Sequence, residues 1–353
     1  MGWSWLSTAA ARRSEWETDA PDPISIFDLR KGPPLSIAST PVRLGLLSAN
    51  VGPTTDGPAA AGLATLAEQL GMDSLWAGEH IVIPAGQKSP YPYSPDGQIP
   101  GGDHIDLPDP LVWLSYVAAA TSTIKLGTGV IILPLRNPLT LAKEVASLDR
   151  LSGGRVLLGV GVGWLAEEFE LLEVPFTQRG RRHDDYLTAM RALWSQDIAS
   201  VQTTHARFDN AISNPKPTTR TVPIVISGGS DAAASRAGRL GDGYFPSTTD
   251  PHRLTHLLEL MRTAGDQAGR DPSAIELTVA LSDTDPDTLS THIEALLPLG
   301  IDRVLLTPMP PETLNDIVDS LTERFNIHQP PPADRVTVGV RRDGALVDGR
   351  GGE

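Results

Sequence analysis

The sequence predicts an α/β protein folded as a single (β/α)8 TIM barrel. Eight short runs rich in β-branched residues alternate with amphipathic helical patterns along the middle of the chain. A helix after each strand requires parallel strands, because the chain must cross back before the next strand begins. Eight such units are the number that closes this barrel, although an open doubly wound sheet would show the same alternation.

Helices are marked by apolar spacing and by proline at their starts. In residues 58–70, 254–261 and 314–321 the apolar side chains stand at i, i+3, i+4 and i+7, which is the helical period. Proline at a first helical position lacks an N–H that would have no partner there, and the residue before it can cap the helix. Three helices are therefore predicted to begin at Pro110, Pro138 and Pro251. The predicted strands are residues 42–47, 74–77, 124–132, 155–160, 222–226, 242–245, 275–281 and 302–306.

Three segments make up the predicted domain organisation. The barrel is expected to occupy residues 41–328. Residues 1–40 and 329–353 are broken by prolines and glycines, and we expect both to be poorly ordered. Residues 83–108 follow the second strand and are too long for a plain connection, so a substrate lid is predicted, with a mobile insertion as the alternative.

Charge and composition exclude several classes of protein. The 353-residue chain has 29 Lys and Arg against 43 Asp and Glu, a formal charge of −14 that does not suit a nucleic-acid partner. The absence of cysteine excludes disulfides, thiolate nucleophiles and Cys-ligated metals. No apolar run approaches the roughly 18 residues of a membrane span, and the start of the chain lacks a secretion signal. We expect a cytoplasmic protein with a small-molecule substrate and no membrane partner.

An acid and a histidine follow the second strand, at the end of a barrel where active sites are built. Glu79 and His80 can orient one another and move a proton near neutral pH. A histidine satisfied by the protein itself is the alternative. His252 and His256 lie four residues apart but lack the glutamate of the zinc-protease motif, so no metal site is predicted.

Glycine-rich segments end three of the predicted strands. Glycines in 127–130 and 159–164 allow a flat ligand to approach the backbone, or allow angles closed to other residues. The turn at 227–230 precedes a helical pattern, and free amide N–H groups at a helix start suit a phosphate. An ordinary glycine turn with Ser230 as the helix cap is the alternative at this place.

Taken together, these stretches resemble the luciferase-like monooxygenase superfamily, and specifically its branch that uses the deazaflavin coenzyme F420. The resemblance covers about residues 42–327. Its motifs are Asp73-Ser74-Leu75-Trp76 with Glu79-His80, Ile124-Lys125-Leu126-Gly127-Thr128-Gly129-Val130, Leu148-Asp149-Arg150-Leu151-Ser152-Gly153-Gly154-Arg155-Val156, Gly159-Val160-Gly161-Val162-Gly163-Trp164 with Glu168-Phe169, and Gly228-Gly229-Ser230 with Gly241-Asp242-Gly243.

The resemblance implies where the cofactor and the catalytic residues lie. It places a non-proline cis peptide between Gly129 and Val130, behind the cofactor ring, and it places His80 beside the reactive carbon. The residues implied to bind the cofactor are Thr128, Gly129, Val130, Val162, Gly163, Trp164, Ser227, Gly228, Gly229 and Ser230. Sugar-phosphate dehydrogenases of this family carry a glutamate where this chain has Trp164, so their substrate and acid-base scheme are not transferred.

The function expected from the resemblance is hydride transfer between F420 and a small organic substrate. His80, oriented by Glu79, would move the accompanying proton. An FMN-dependent monooxygenase on the same scaffold is the alternative, since FMN activates oxygen whereas a deazaflavin does not readily do so. A non-catalytic protein that stores the cofactor is a third interpretation, and the resemblance is compatible with a homodimer.

Overall fold

A computed structural model shows a closed barrel of eight parallel strands surrounded by helices. It describes residues 42–94, 96–325 and 327, together with two short strands at 339–340 and 346–347. The sequence prediction for residues 1–40, and that for 329–353 apart from those two strands, lies outside the described residues.

Eight of the described strands form the barrel. The strands are β1 Arg43–Leu46, β2 Ser74–Ala77, β3 Lys125–Thr128, β4 Ile131–Ile132, β5 Val156–Gly161, β6 Ala199–Gln202, β7 Arg207–Ala211, β8 Ile224–Ser227, β9 Gly243–Phe245, β10 Glu276–Leu281, β11 Arg303–Leu306, β12 Gly339–Val340 and β13 Leu346–Val347. Going round the barrel, the order is β1, β2, β3, β5, β8, β9, β10, β11, with every neighbouring pair parallel. The barrel closes because β11 pairs with β1. The TIM-barrel prediction is confirmed.

Two features of the strands were not predicted. The predicted strand 124–132 is interrupted, because β3 ends at Thr128 and the chain rejoins the barrel two residues later as β4, which pairs with β5. In the chain, an antiparallel hairpin of β6 and β7 lies between the barrel strands β5 and β8. Its side chains alternate between buried and exposed along Ala199–Gln202, the pattern of a strand with one face in solvent.

The helices begin where the prolines predicted. The side chains of Asp109, Asn137 and Asp250 each accept hydrogen bonds from N–H groups of the first helical turn that follows. The helices are α1 Gly57–Gln69, α2 Pro110–Ala118, α3 Pro138–Ser152, α4 Ala166–Leu171, α5 Arg179–Ser195, α6 Asp231–Leu240, α7 Pro251–Gln267, α8 Pro286–Leu296 and α9 Pro311–Arg324. No helix among the described residues is long and apolar enough to cross a membrane.

A large side chain fills the interior of the barrel. Trp76 of β2 is completely buried and belongs to an apolar cluster with Leu157, Val225, Phe245 and Leu305. The rings of Trp76 and Phe245 meet edge to face, with centroids 6.2 Å apart. This cluster closes the centre of the barrel, as side chains do in barrels of this type.

Two of the glycines that the sequence suggested for ligand approach are required by this packing instead. A Cβ at Gly127 would lie 2.4 Å from the Trp76 ring, and a Cβ at Gly159 would lie 1.9 Å from the carbonyl oxygen of Thr128. Neither position can hold a side chain without moving the barrel wall. The close approach at these two positions is to the protein itself and not to a ligand.

Charged side chains close the barrel at the amino ends of its strands. Arg303 is only 2% exposed, and its Nε donates to Asp73 at 2.8 Å. Its Nη1 contacts Thr278 and Glu276 at 3.2 and 3.4 Å. Because a buried guanidinium needs partners for its donors, this set satisfies the charge while it seals the amino end of the strands.

Candidate active site

The carboxyl ends of the barrel strands bring the predicted site residues to one face of the molecule. In a parallel barrel all strands end on the same side, where the loops can build a site. β2 leads to His80, β5 leads to Trp164 and β8 leads to the turn 228–230. We call the face formed by His80, Trp164 and this turn the mouth.

His80 is held by a carboxylate from another part of the chain. Its Nδ1 lies 2.8 Å from Oε2 of Glu168, which is in the first turn of α4 and 1% exposed. The other oxygen of Glu168 accepts the backbone N–H of Ile81 at 2.7 Å and that of Val82 at 3.3 Å. Among the described residues Nε2 of His80 has no hydrogen-bond partner, so it is the edge of the ring that can act on a ligand.

The predicted pairing of Glu79 with His80 is wrong. The Glu79 carboxylate accepts the Nε–H of Arg136 at 2.9 Å, a second bond from the same guanidinium and the N–H of Ile132. Although the two residues are adjacent, Glu79 contacts β4 and Arg136 while His80 contacts α4. Glu79 therefore ties the end of β2 to β4 and does not orient the histidine.

Arg136 is paired with two carboxylates through Nε and Nη2 of its guanidinium group. Its Nη2 also lies 2.6 Å from Oδ2 of Asp109, the residue that caps α2. Although burial acts to lower it, the carboxylates of Glu79 and Asp109 raise the pKa of Arg136 above its ordinary value. The arginine thus joins both ends of the loop between β2 and α2 to the segment that follows β4, and its charge is paired with the carboxylates of Glu79 and Asp109.

Aromatic rings cover His80. The ring of Trp164 meets that of His80 edge to face at 5.8 Å, and Tyr91 meets Trp164 at 5.3 Å. Tyr93 in turn meets Tyr91 at 5.2 Å. Burial raises the pKa of Tyr91 to about 12, so its hydroxyl stays neutral. Both tyrosines belong to the predicted lid, which in this structure packs against Trp164.

A second glutamate fixes the same loop. Oε1 of Glu167 accepts the N–H groups of Lys88 and Ser89 at 2.8 and 3.0 Å. Glu167 and Glu168 are neighbours in α4 and hold two points of the loop that follows β2. The first part of the lid is thus attached to α4 through its backbone N–H groups. This attachment does not depend on which side chains the lid carries.

The predicted cofactor-binding residues at β3 and β5 differ in accessibility. The peptide between Gly129 and Val130 is cis, as the resemblance implied. Both residues are partly exposed, as are residues 162–164. Thr128 is completely buried and its hydroxyl donates to the carbonyl of Gly159 at 2.7 Å. Its predicted contact with the cofactor is therefore wrong for the side chain, which belongs to the barrel wall.

In the turn after β8 two successive carbonyls each accept a hydrogen bond from a side chain. The Tyr244 hydroxyl donates to the carbonyl of Gly228 at 2.9 Å, and Nη2 of Arg253 donates to the carbonyl of Gly229 at 2.9 Å. Arg253 also contacts Asp231 at 2.8 Å. In a trans peptide the C=O and N–H point in opposite directions. The N–H groups of Gly229 and Ser230 therefore point away from these donors, and the described residues offer them no partner.

Ser230 also fulfils the alternative suggested by the sequence. Its Oγ caps α6 by accepting the N–H of Ala233 at 3.2 Å. Oγ of Ser230 faces α6 and caps it, whereas the N–H groups of Gly229 and Ser230 lie before the helix. The cap therefore leaves these two N–H groups without a partner among the described residues. Gly228 has φ of +129°, which requires glycine here.

Comparison with known proteins gives a consistent assignment. Residues 42–297 match the family model described as luciferase-like monooxygenase. An uncharacterised protein of Mycobacterium tuberculosis is 34% identical over 262 residues, which are 73% of this chain and 89% of that protein. The F420-dependent glucose-6-phosphate dehydrogenase of Kineococcus radiotolerans is 30% identical over 252 residues, 68% of this chain and 69% of the enzyme. The crystal structure of the monooxygenase RslO1 from Streptomyces bottropensis is 22% identical, with a TM-score of 0.65 over 80% of this chain and 98% of that one.

Proposed function

The chain belongs to the luciferase-like monooxygenase family, and from this premise we propose that it is an oxidoreductase that transfers a hydride between coenzyme F420 and a small organic substrate. The observation that carries the proposal is the position of His80. Its Nδ1 is held by Glu168, and its Nε2 is left for a ligand beside Trp164. The relatedness to an F420-dependent dehydrogenase supports the choice of cofactor.

The residues of the mouth fit a flat ring with a phosphate tail. The N–H groups of Gly229 and Ser230 have no partner in the part of the chain that the structure describes. They are donors suited to a phosphate, and they precede the positive end of the α6 dipole. The partly exposed backbone at Gly129, Val130 and 162–164 would support the ring. When bound there, F420 supplies the group that accepts or gives the hydride.

His80 acts as the acid-base group in this proposal. A carboxylate at Nδ1 selects the tautomer that carries its hydrogen there, so that Nε2 is free to accept a proton from a substrate hydroxyl. Glu168 is the positioning residue, since it fixes both the ring and the two amides that follow. Trp164 packs against the ring of His80 and Tyr91 packs against Trp164, so these rings would shield one side of the imidazole from water.

Fluorescence titration of the purified protein with F420 and with FMN tests the cofactor assignment. We expect F420 to bind with a micromolar or lower Kd. FMN also carries a phosphate and would use the same turn, so binding of FMN with no response to F420 would make the protein a flavin-dependent monooxygenase and reject the proposal. F420 binding without turnover of any alcohol or carbonyl compound would favour a cofactor-storage protein instead.

A further inference from the structure

A polar pocket lies outside the barrel, between α5 and the hairpin of β6 and β7. Its volume is about 440 Å³, and its lining is entirely polar or charged: Arg181, Asp185, Gln202, Thr203, Thr204 and Arg207. The first two residues belong to α5 and the others to the hairpin and its tip. None of them belongs to the mouth. We call this site the hairpin pocket.

The two arginines of the hairpin pocket have no carboxylate partner among the described residues. Ten other described arginines lie within 4.0 Å of a carboxylate oxygen, but Arg181 and Arg207 do not. Both side chains are exposed. In a chain with a formal charge of −14, two guanidinium groups left without carboxylates at one pocket are available to an external anion.

The carboxylate that Arg181 would ordinarily pair with is bound elsewhere. Asp185 lies four residues after Arg181 in α5, a spacing at which opposite charges meet on the surface of a helix. Its Oδ2 instead lies 2.8 Å from Nδ1 of His205 and accepts the backbone N–H of His205 at 3.0 Å. Asp185 therefore fastens the tip of the hairpin to α5, and Arg181 is left unpaired.

Hydrogen bonds within the hairpin tip hold the other arginine in place. Nε of Arg207 donates to the carbonyl of Thr203 at 2.9 Å. The hydroxyl of Thr203 is in turn bonded to the N–H and the carbonyl of Ala206, each at 3.0 Å. These contacts leave both Nη groups of Arg207 without a partner among the described residues. A side chain fixed in this way loses little further freedom when it binds a ligand.

Two further side chains complete the lining. Thr204 is exposed, and in the part of the chain that the structure describes its hydroxyl has no partner, so it can donate to a bound oxygen. The amide of Gln202 donates to Asp209, with 3.1 Å to each carboxylate oxygen. Asp209 is thus bound across the hairpin and pairs with neither arginine.

From these contacts we propose that the hairpin pocket binds a molecule, or part of one, that carries two neighbouring anionic groups, each a carboxylate or a phosphate. Arg181 would bind one group and the two Nη groups of Arg207 the other, with the hydroxyl of Thr204 as a further donor. Guanidinium groups suit such ligands because two parallel N–H groups can bond to two oxygens of one anionic group.

Two sources share this chemistry. One is a free metabolite with two anionic groups. The other is the anionic tail of a cofactor bound at the mouth, and this source alone rests on the proposed function. The carbonyl of Gly180, at the start of α5, accepts Nη2 of Arg236 in α6 at 3.3 Å. Since α6 begins at the turn 228–230, the start of α5 lies beside the helix that follows this turn.

Isothermal titration calorimetry of the full chain with pyrophosphate tests the proposal. We expect a Kd of roughly 1 mM or lower at low ionic strength, and about tenfold weaker binding of acetate, which has one anionic group. Arg181→Met and Arg207→Met should each weaken pyrophosphate binding about tenfold. Arg262→Met is the matched control, since Arg262 is an exposed arginine of α7 that also lacks a carboxylate partner among the described residues. It should leave the Kd unchanged.

The turn after β8 could also bind pyrophosphate, and Arg253→Met separates the two sites. Binding at the hairpin pocket should persist in Arg253→Met. Binding that is lost in Arg253→Met but retained in Arg181→Met and Arg207→Met would place the anion at the mouth and overturn the proposal. Arg207→Met also removes the bond to Thr203, so Arg181→Met, which breaks no hydrogen bond among the described residues, must show the same loss.

The same titration on protein loaded with F420 identifies the source. Pyrophosphate binding that is unchanged by loading indicates a free metabolite, whereas binding that loading blocks in wild type indicates the tail of the cofactor. No detectable binding of pyrophosphate to the unloaded protein, or equal binding in wild type and both arginine variants, would reject the hairpin pocket as an anion site. Failure of F420 to bind would reject the proposed function and leaves the titration of the unloaded protein as the test of the pocket.

Discussion

Nδ1 of His80 lies 2.8 Å from Oε2 of Glu168, although 88 residues separate the two in sequence. The bond joins the loop after β2 to the first turn of α4. Both residues follow the carboxyl ends of barrel strands, which is why residues so far apart in sequence can form the acid-base pair that we propose. Glu79, the sequence neighbour of His80, is bound to Arg136 instead.

Substitution of this pair should affect turnover more than cofactor binding. His80→Ala should lower kcat by about 1000-fold, because no group remains to take the substrate proton, and Glu168→Gln should lower it about tenfold to 100-fold because the ring is no longer fixed. The Kd for F420, measured by fluorescence, should stay within several-fold in both variants.

Glu170→Gln is the matched control, since Glu170 is an exposed residue of the same helix. It should leave kcat and the cofactor Kd unchanged. Wild-type turnover in His80→Ala would remove the histidine from its proposed role.

Substitutions that disturb the turn after β8 should affect cofactor binding more than turnover. Tyr244→Phe and Arg253→Met each release one carbonyl of the turn, so the following N–H loses its orientation. We expect each substitution to raise the Kd for F420 about tenfold, which fluorescence titration measures, with kcat at saturating cofactor nearly unchanged. Arg220→Met is the control, since Arg220 precedes β8 at the amino end of the barrel. Unaltered affinity in both turn variants would place the phosphate elsewhere.

The interior packing can be tested with two glycines in different surroundings. Gly159→Ala would place a Cβ 1.9 Å from the carbonyl oxygen of Thr128, so the barrel wall must move. We expect a loss of about 3 kcal/mol or more in the free energy of unfolding, or failure to fold. Gly62→Ala in α1 has open space around the added atom and should stabilise the protein by up to about 1 kcal/mol. Similar values for the two variants in urea unfolding would contradict the described packing.

Acid stability should depend on Asp184 of α5. Burial alone would raise the pKa of Asp184. Hydrogen bonds from His183, Arg236 and Arg239 outweigh burial and lower this pKa to about 2. A carboxyl group whose pKa is lower in the folded state than its value of 3.8 stabilises the fold above pH 3.8, and this contribution is lost as the pH falls toward 2.

Asp184→Asn should therefore reduce the free energy of unfolding at pH 7 by roughly 2 kcal/mol, and the difference from wild type should shrink toward pH 2. Urea unfolding at several pH values measures both quantities. A difference that stays constant between pH 7 and pH 2.5 would show that the loss is one of packing.

The parts of the fold that depend on local pattern could be predicted from the sequence. The barrel strands follow from the β-branched runs, and the helix starts follow from Pro110, Pro138 and Pro251 with their caps. The hairpin of β6 and β7 was missed, although its short alternation of buried and exposed residues carries a weak signal.

The candidate site was predictable in position but not in its partners. Parallel strands place His80, Trp164 and the glycine turn on one face whatever the details of the loops. The bond from Glu168 to His80 and that from Arg253 to Gly229 depend on how close two loops or a loop and a helix lie in space. No spacing rule in the sequence links such pairs, so adjacency suggested Glu79 where the fold uses Glu168.

The buried Trp76 at the centre of the barrel determines how molecules enter and leave. The ring of Trp76 and the neighbouring apolar side chains fill the barrel interior, and Arg303 closes the amino ends of the strands. The described barrel therefore has no channel along its axis. In the function that we propose, cofactor, substrate and product therefore all enter and leave through the mouth of the described barrel. A molecule bound deep in the mouth would leave only after one bound above it, which would impose an order on binding and release.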